Sequence, residues 1–537
     1  MLVAAKITTI EINATTARPE TISGVTQLKK NRSSCPGFPI VDVNRSMATT
    51  NKLPNFNIGL LGHVDSGKTS IAKCLSTLAS TAAFDKNPQS QTRGITLDLG
   101  FSSFSIYSEK LANEIQVTLV DCPGHASLVK TVIGGSQIMD GAVLVVDVTK
   151  GIQTQTAECI VLAEILEIPL VIAINKIDLV PQEKQQNVIE KVTKGIKKAL
   201  KSTRYDTCNI VAISTKLEPN VSMLITAIGD LLENNGNFDK DISKSSTDEC
   251  LLAYEHCFTL KGQGTIVTGT MLKGTLSTLD VLPAGVQRKV KSIQRFKKPM
   301  SSIARGDRAG ICLVKLDSEN IERGFLASPN TVVSACACIM PVNVVKYFKT
   351  NIKSHSTFHV SVGYETVTAK ATFLEYRNSG NVIPDDFLNY DYMALDELNP
   401  KETNIGGQQF VYLDWGKPIY IPKSTLIIAS KLDSDQSSSN CRLAFYGDKV
   451  KTISDKEYKN WSINNIHTYR IKEKFGNIFR VVDQNTLIGN DMFSALGIAP
   501  FIQFKVDIVD GSDVVATGFI ESTFGKGEKF KVKFPNT

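Results

Sequence analysis

The chain has 537 residues, 42% hydrophobic and 21% charged, with a formal net charge of +7. That length exceeds what one ordinary core supports, so several domains are expected in a soluble globular protein. The longest apolar runs, residues 142–146 and 168–174, are of strand length, well short of the roughly 18 residues that span a bilayer, so no membrane partner is expected. The mild positive charge permits RNA contact without demonstrating it. The eleven cysteines are odd in number and scattered, which suits free thiols in a reducing compartment. Cys336-Ala337-Cys338 has no second Cys pair or His pair at useful spacing and reads as buried strand thiols.

Residues 1–53 carry turn-formers and mixed charge without a sustained period, and read as a disordered extension. They lack the plan of a secretory signal, and Glu11 and Glu20 argue against a mitochondrial presequence. Met47 could start a shorter form.

From residue 54 to about 245 the pattern is β-α repeated. Buried-type strands are expected at 57–61, 116–120, 142–146, 170–174 and 209–213, each with a helical pattern behind it. In the helix at 182–200, Val188, Val192, Ile196 and Leu200 share one face. Continuous apolar strands between such helices imply a doubly wound α/β domain with a mostly parallel sheet. A polar linker at 239–246 ends it. Beyond lie short alternating runs such as 265–270 and 353–362, broken by Gly, Asn and Pro turns, which indicate three β-rich domains at 246–339, 340–452 and 453–537. Residues 454–465 read as a polar break.

Gly62-His63-Val64-Asp65-Ser66-Gly67-Lys68-Thr69 follows the first strand and matches the phosphate-cradling pattern G-x-x-x-x-G-K-[ST]. Backbone N–H groups from Asp65 to Ser70 and the positive end of the following helix suit phosphate oxygens. Lys68 would reach the outer phosphates and Thr69 would hold Mg²⁺. Asp121-Cys122-Pro123-Gly124-His125 ends the second strand, where Asp121 can reach the Mg²⁺ shell and the Gly124 amide the terminal phosphate. Thr96, in Arg93-Gly94-Ile95-Thr96, offers a second hydroxyl to the metal. His125 is the candidate for orienting the attacking water, since hydrolysis in such sites is positioning and charge stabilisation. No arginine finger is identifiable in the chain, so slow intrinsic turnover and an external activator are expected.

Asn175-Lys176-Ile177-Asp178 reads the base. The Asp178 carboxylate can accept from both N–H donors on the Watson–Crick edge of guanine, whereas adenine would face it with an acceptor. Asn175 ties this loop to the phosphate loop, the Lys176 stem covers the base, and Ser214-Thr215-Lys216 completes the pocket. The nucleotide is GTP.

With these motifs the chain resembles the translational GTPases of the EF-Tu class, in which a GTPase domain precedes two β-barrels that carry aminoacyl-tRNA. Gly262-Gln263-Gly264-Thr265-Ile266-Val267-Thr268-Gly269 matches their second-domain hairpin. More narrowly, Ser80-Thr81-Ala82-Ala83-Phe84-Asp85-Lys86, the stretch 93–101 and Glu255-His256-Cys257-Phe258 look like the selenocysteine-specific elongation factors, SelB in bacteria and eEFSec in eukaryotes, which add a fourth domain.

That resemblance implies a selenocysteine pocket formed by an acidic residue, a histidine and an arginine, here Glu255, His256 and Arg308. The family usually has Asp where Glu255 stands. A cationic pocket would separate an anionic selenol from a neutral serine hydroxyl. The implied partners are selenocysteinyl-tRNA, the ribosome, and the SECIS RNA element or its binding protein. A cytoplasmic monomer is expected, with a nuclear pool compatible. The alternative is a general aminoacyl-tRNA or initiator-tRNA carrier of the same class. The basic run 288–298 suits an RNA backbone and equally a solvated barrel edge. In residues 529–534 lysines alternate with apolar groups, which fits either a soluble edge strand or a contact surface of the fourth domain.

Overall fold

The computed structural model describes residues 4–12 and 54–534, except 77, 80–98, 109–112, 126–128, 137, 217, 236–248, 261–263, 275–277, 283–284, 297, 317–322, 364, 378–386, 399–407, 424, 434–440, 450, 462, 495–496, 511–512 and 526–527. Ala4–Ile12 forms strand β1, where the sequence suggests only a disordered extension. It pairs antiparallel with residues 469–477 and 507–509 of the last unit. The missed signal is the β-branched run around Ile7, Thr8, Thr9 and Ile10, whose pairing partners lie more than 450 residues away in sequence.

The first sheet holds β2 (Asn55–Leu61), β3 (Leu78–Ala79), β4 (Gly100–Ser108), β5 (Asn113–Asp121), β6 (Gly141–Asp147), β7 (Leu170–Asn175) and β8 (Ile210–Ala212), in the order β3-β4-β5-β2-β6-β7-β8. β2 runs parallel to β5 and β6, as β7 does to β6 and β8, while β4 is antiparallel to β5. Alternate residues of the central strands face opposite cores. Leu60, Val143 and Val145 pack with Ile71 and Leu75 of helix Lys68–Leu75 and Leu224 and Ile228 of helix Glu218–Asn235. Leu61, Leu144 and Val146 pack on the other side with helices Val129–Ser136, Thr154–Leu166 and Gln182–Leu200. Helices on both faces explain why every residue of β6 is buried. In helix Gln182–Leu200 the expected face is the inward one, with Ile196 and Leu200 fully covered.

The second sheet contains β9 (Leu251–Leu260), β10 (Gly264–Lys273), β11 (Thr278–Leu282), β12 (Val286–Arg295), β13 (Lys298–Met300), β14 (Arg308–Leu313) and β15 (Gly324–Ala327). Its order β11-β15-β9-β10-β14-β12-β13, with β11 also bonded to β12, closes a barrel around Leu252, Tyr254, Val267, Met271 and Ile311. The basic run lies largely on β12, and within it Arg295 forms a buried ion pair with Asp307 at 2.9 Å.

A fifteen-stranded sheet spans the rest and takes in β1. Its core includes Phe358, Phe373 and Phe445, with ring centroids 5.1 and 5.5 Å apart in edge-on contacts. Strand Asp391–Leu395 runs parallel to strand His467–Asp483, so the third and last β-rich units share hydrogen-bonded backbone. The polar stretch after Ile453 contains a short helix, Asp455–Tyr458, where the sequence reading had only a break. Ser454 accepts from the Glu457 backbone N–H, and Glu457 reaches back to the Ser454 backbone N–H, a reciprocal capping box. Cys336 and Cys338 are buried strand thiols, as expected, and Cys74, which its place in an apolar helical pattern suggests is a core residue, is exposed. No helix among the described residues is long and apolar enough to cross a membrane.

Candidate nucleotide site and inter-sheet pocket

Gly67 caps helix Lys68–Leu75 with φ of 97°, a left-handed turn. A Cβ there would lie 2.2 Å from Asn175 Nδ2, so the loop closes only around glycine. Asn175, the last residue of β7, donates to the Ser66 carbonyl at 2.9 Å and so locks the base-side loop to the phosphate-side loop. Lys68 is 6% exposed, and its ammonium donates to the Gly62 and His63 carbonyls at 3.0 and 2.7 Å. Burial pushes its pKa below the usual lysine value, with Asp121 pulling the other way. A Cβ on Gly124 would stand 2.4 Å from Lys68 Nζ, which puts the Gly124 backbone against the lysine head. Ser66 is buried, whereas Asp65 and Ser70 are exposed at the loop's rim.

Thr69 donates its hydroxyl to Asp121 at 2.7 Å. This hydroxyl and carboxylate lie beside Lys68 at the carboxyl end of β5, and hard oxygens of this kind fit Mg²⁺. Thr96, the other expected ligand, and residues 80–86 lie outside the described residues. His125 is exposed and borders a small open pocket with Gly62, Gly124, Gln155, Glu158 and Arg442.

On the base side, Asp178 sits in the turn Ile177–Leu179. It accepts from Ser214 Oγ at 2.7 Å and from Lys216 Nζ at 3.1 Å. These contacts, the Ser214 hydrogen bond foremost, hold its carboxyl below the usual aspartate range. The Lys216 backbone N–H donates to Ser214 Oγ at 3.1 Å, and Thr215 lies half-buried between them. Lys176 adopts φ of 66° and pairs with Asp147 at 2.9 Å. Sequence reading missed Asp147. Its signal was the position at the carboxyl end of β6, level with Asn175 of β7 in the pairing register.

Between the first and second sheets the turn Arg305-Gly306-Asp307 docks on the start of β2. The Gly306 carbonyl accepts from the Asn55 and Asn57 side-chain amides at 2.7 and 3.0 Å. Asp307, held by Arg295 and by the Ala304 N–H, fixes the turn from behind. Arg308 then projects its guanidinium 3.1 Å over the ring centroid of Phe101 in β4, a cation–π contact across the two units. Its Nη1 donates to Glu255 Oε2 at 2.8 Å, and the two side chains are 4% and 2% exposed. Glu255 occupies a bulge in the β9–β10 ladder, where His256 faces Thr268 and Tyr254 faces Gly269. The extra residue re-aims the chain beside Arg308. Of the expected trio, Glu255 and Arg308 are in direct contact, and His256 is the next residue along β9, opposite Thr268. Arg308 is neutralised by Glu255 in a buried ion pair, so the pocket is not simply cationic.

Residues 53–234 match the family described as Elongation factor Tu GTP binding domain. Residues 339–447 match the third domain of the eukaryotic selenocysteine-specific elongation factor, and 464–537 the eEFSec C-terminal RIFT domain. A selenocysteine-specific elongation factor of Mus musculus is 37% identical over 521 residues, covering 90% of this chain and 88% of its own. The chain belongs to the selenocysteine-specific elongation factor family. A family member from Methanocaldococcus jannaschii is 37% identical over 337 residues, 62% of this chain and 68% of its own. Among solved structures, SelB from Methanococcus maripaludis in complex with a GTP analogue aligns at a TM-score of 0.69 and 24% identity, covering 90% of this chain and 96% of that one, which supports the fold. The matches thus extend from the GTPase unit through the third β-rich unit to the C-terminal one.

Proposed function

We propose that this protein binds GTP and selenocysteinyl-tRNA together, delivers the tRNA to ribosomes at recoded UGA codons, and hydrolyses GTP to let go. The observation that carries this reading is the Arg308–Glu255 pair set under Phe101, because it joins the candidate cargo pocket to the strand that borders the nucleotide site. Backbone N–H groups from Asp65 to Ser70 hold the phosphates, Lys68 leaves its two carbonyl partners for the outer phosphates, and the Gly124 amide meets the terminal one. Thr69, Asp121 and Thr96 would hold Mg²⁺, which supplies charge neutralisation on the phosphates. Asp178 accepts from guanine in a loop set by Asn175, Lys176, Ser214, Thr215 and Lys216, and His125 orients the attacking water. Glu255, His256 and Arg308 receive the selenocysteinyl group.

The last β-rich unit is the docking surface for the SECIS element or its binding protein. Its exposed Phe475, Phe479 and Val481, with Lys529 3.4 Å over the Phe479 ring, mix apolar and basic chemistry as such partners require. The working form is a cytoplasmic monomer.

The deciding experiment measures GTP-dependent protection of the aminoacyl ester in selenocysteinyl-tRNA and in seryl-tRNA charged on the same tRNA. Preferential protection of the selenocysteinyl ester is expected. Equal protection would assign the chain to general tRNA carriage instead. His125→Ala should lower ribosome-stimulated hydrolysis by about 10²-fold or more with GTP affinity intact, and unchanged turnover would remove that residue from the mechanism.

A further inference from the structure

One face of the barrel formed by the second sheet carries three buried polar groups whose partners are not found among the described residues. They are the Thr268 hydroxyl, the Thr270 hydroxyl and Nη2 of Arg308. The ladder register places them together. Thr270 is directly opposite Arg308 on β14 and Ala253 on β9, and Thr268, two residues earlier on β10, lies opposite His256. Directly opposed residues share a face of a sheet, as do residues two apart, so Thr268, Thr270, His256 and Arg308 point to one side. The two threonines are 6% and 1% exposed and Arg308 is 4% exposed.

A buried donor without a partner destabilises the fold unless something else completes it. One such hydroxyl is unremarkable, but two beside an incompletely used guanidinium place three donors on one face. The Glu255 carboxylate already cancels the charge of Arg308, so net charge alone cannot select an anionic cargo. Hydrogen-bond donors can. A desolvated selenolate accepts several charge-assisted hydrogen bonds, whereas a neutral serine hydroxyl accepts them more weakly and brings a proton that also needs a partner.

We infer that Thr270, with Thr268 beside it, completes the cargo pocket as a specificity-determining residue, its hydroxyl donating with Arg308 Nη2–H to the anionic selenium of the bound aminoacyl group. This rests on the selenocysteine reading above and adds to it the residue that supplies discrimination once Arg308 is neutralised.

The test uses the full chain with GTP. Thr270→Val keeps the shape and removes the hydroxyl. It should lower the preference for selenocysteinyl- over seryl-tRNA about tenfold, as loss of one charge-assisted hydrogen bond does, while GTP affinity stays the same and the melting temperature without tRNA stays level or rises. An unchanged preference would overturn the inference, and a lower melting temperature alongside it would make the hydroxyl structural. If preference and stability both fall, Thr270→Ser decides, since it restores the hydroxyl. Recovered preference supports the role and continued loss refutes it. Thr268→Val, read the same way, should show a smaller loss in the same direction, and a larger one would move the role from Thr270 to Thr268. Failure of the wild-type chain itself to discriminate would instead sink the underlying selenocysteine reading.

Discussion

Arg442 and Glu158 offer the sharpest energetic test of how the GTPase unit is held to the rest. Arg442 lies beside the strand Leu443–Asp448, and Glu158 lies on helix Thr154–Leu166. Arg442 donates to the carboxylate through Nε at 2.8 Å, Nη2 at 2.6 Å and its backbone N–H at 3.3 Å. The side chains are 8% and 5% exposed. Arg442→Met keeps most of the stem's packing but leaves the Glu158 carboxylate buried and unpaired, which should cost about 3–5 kcal/mol. At a urea dependence of about 2 kcal/mol per molar, the unfolding midpoint would fall by roughly 1.5–2.5 M. Both tryptophans of the chain report on this region. Trp415 is buried with Nε1 donating to the Ala335 carbonyl at 2.9 Å, and Trp461 packs against the same sheet. Their fluorescence through a urea titration therefore follows the unit that Arg442 anchors. Glu158→Leu with Arg442→Met removes both charges and should recover most of the loss. A comparison pair, Lys346 with Glu164 at 3.0 Å, joins the same units but is half exposed, and Lys346→Ala should cost under about 1 kcal/mol. A midpoint shift below about 0.5 M for Arg442→Met, or a double variant as unstable as the single one, would refute the reasoning.

Two further outcomes concern the nucleotide. The lowered pKa of Asp178 keeps it ionised, so its contribution to GTP binding is complete above the ordinary carboxylate pKa and is lost as pH falls through the lowered one. Ser214→Ala removes the foremost cause of that shift, and a titration of GTP affinity should show the acid-side loss beginning at higher pH. Gly124→Ala would place a methyl 2.4 Å from Lys68 Nζ and 2.7 Å from the Val64 backbone nitrogen. GTP affinity should drop about tenfold or more with GDP affinity less affected, which competitive nucleotide binding measures directly.

The strand ends that carry the candidate nucleotide site were legible in sequence because their signals are local. The phosphate loop, Asp121 and the Asn175–Asp178 group each sit at a strand end, and strand ends follow from continuous apolar runs such as those of β6 and β7. The helix at Gln182–Leu200 was readable for the same reason, as its period of apolar residues is long and uninterrupted. What escaped depends on contacts between distant residues. Nothing around Glu158 marks it as the partner of a residue 284 positions on. Antiparallel β4 was missed because Gly100, Ser102, Ser103 and Ser105 dilute its hydrophobic signal. Glu255 was recognisable by resemblance, but the bulge that aims it and the neutral state of its pair with Arg308 needed the register of β9 on β10.

The parallel pairing of strand Asp391–Leu395 with strand His467–Asp483 has a mechanical consequence. Only Asp391, Tyr392 and Met393 are in register with His467, Thr468 and Tyr469. At about 1 kcal/mol net for each ladder hydrogen bond, detaching this seam costs roughly 2–3 kcal/mol. A seam of that strength behaves as a detent. With the Arg470–Asp396 ion pair and the burial of Ile466 beside Tyr392 adding to it, the joint is a short latch rather than a fused core, and force applied to the C-terminal unit would act on these few contacts before either side of the joint unfolds.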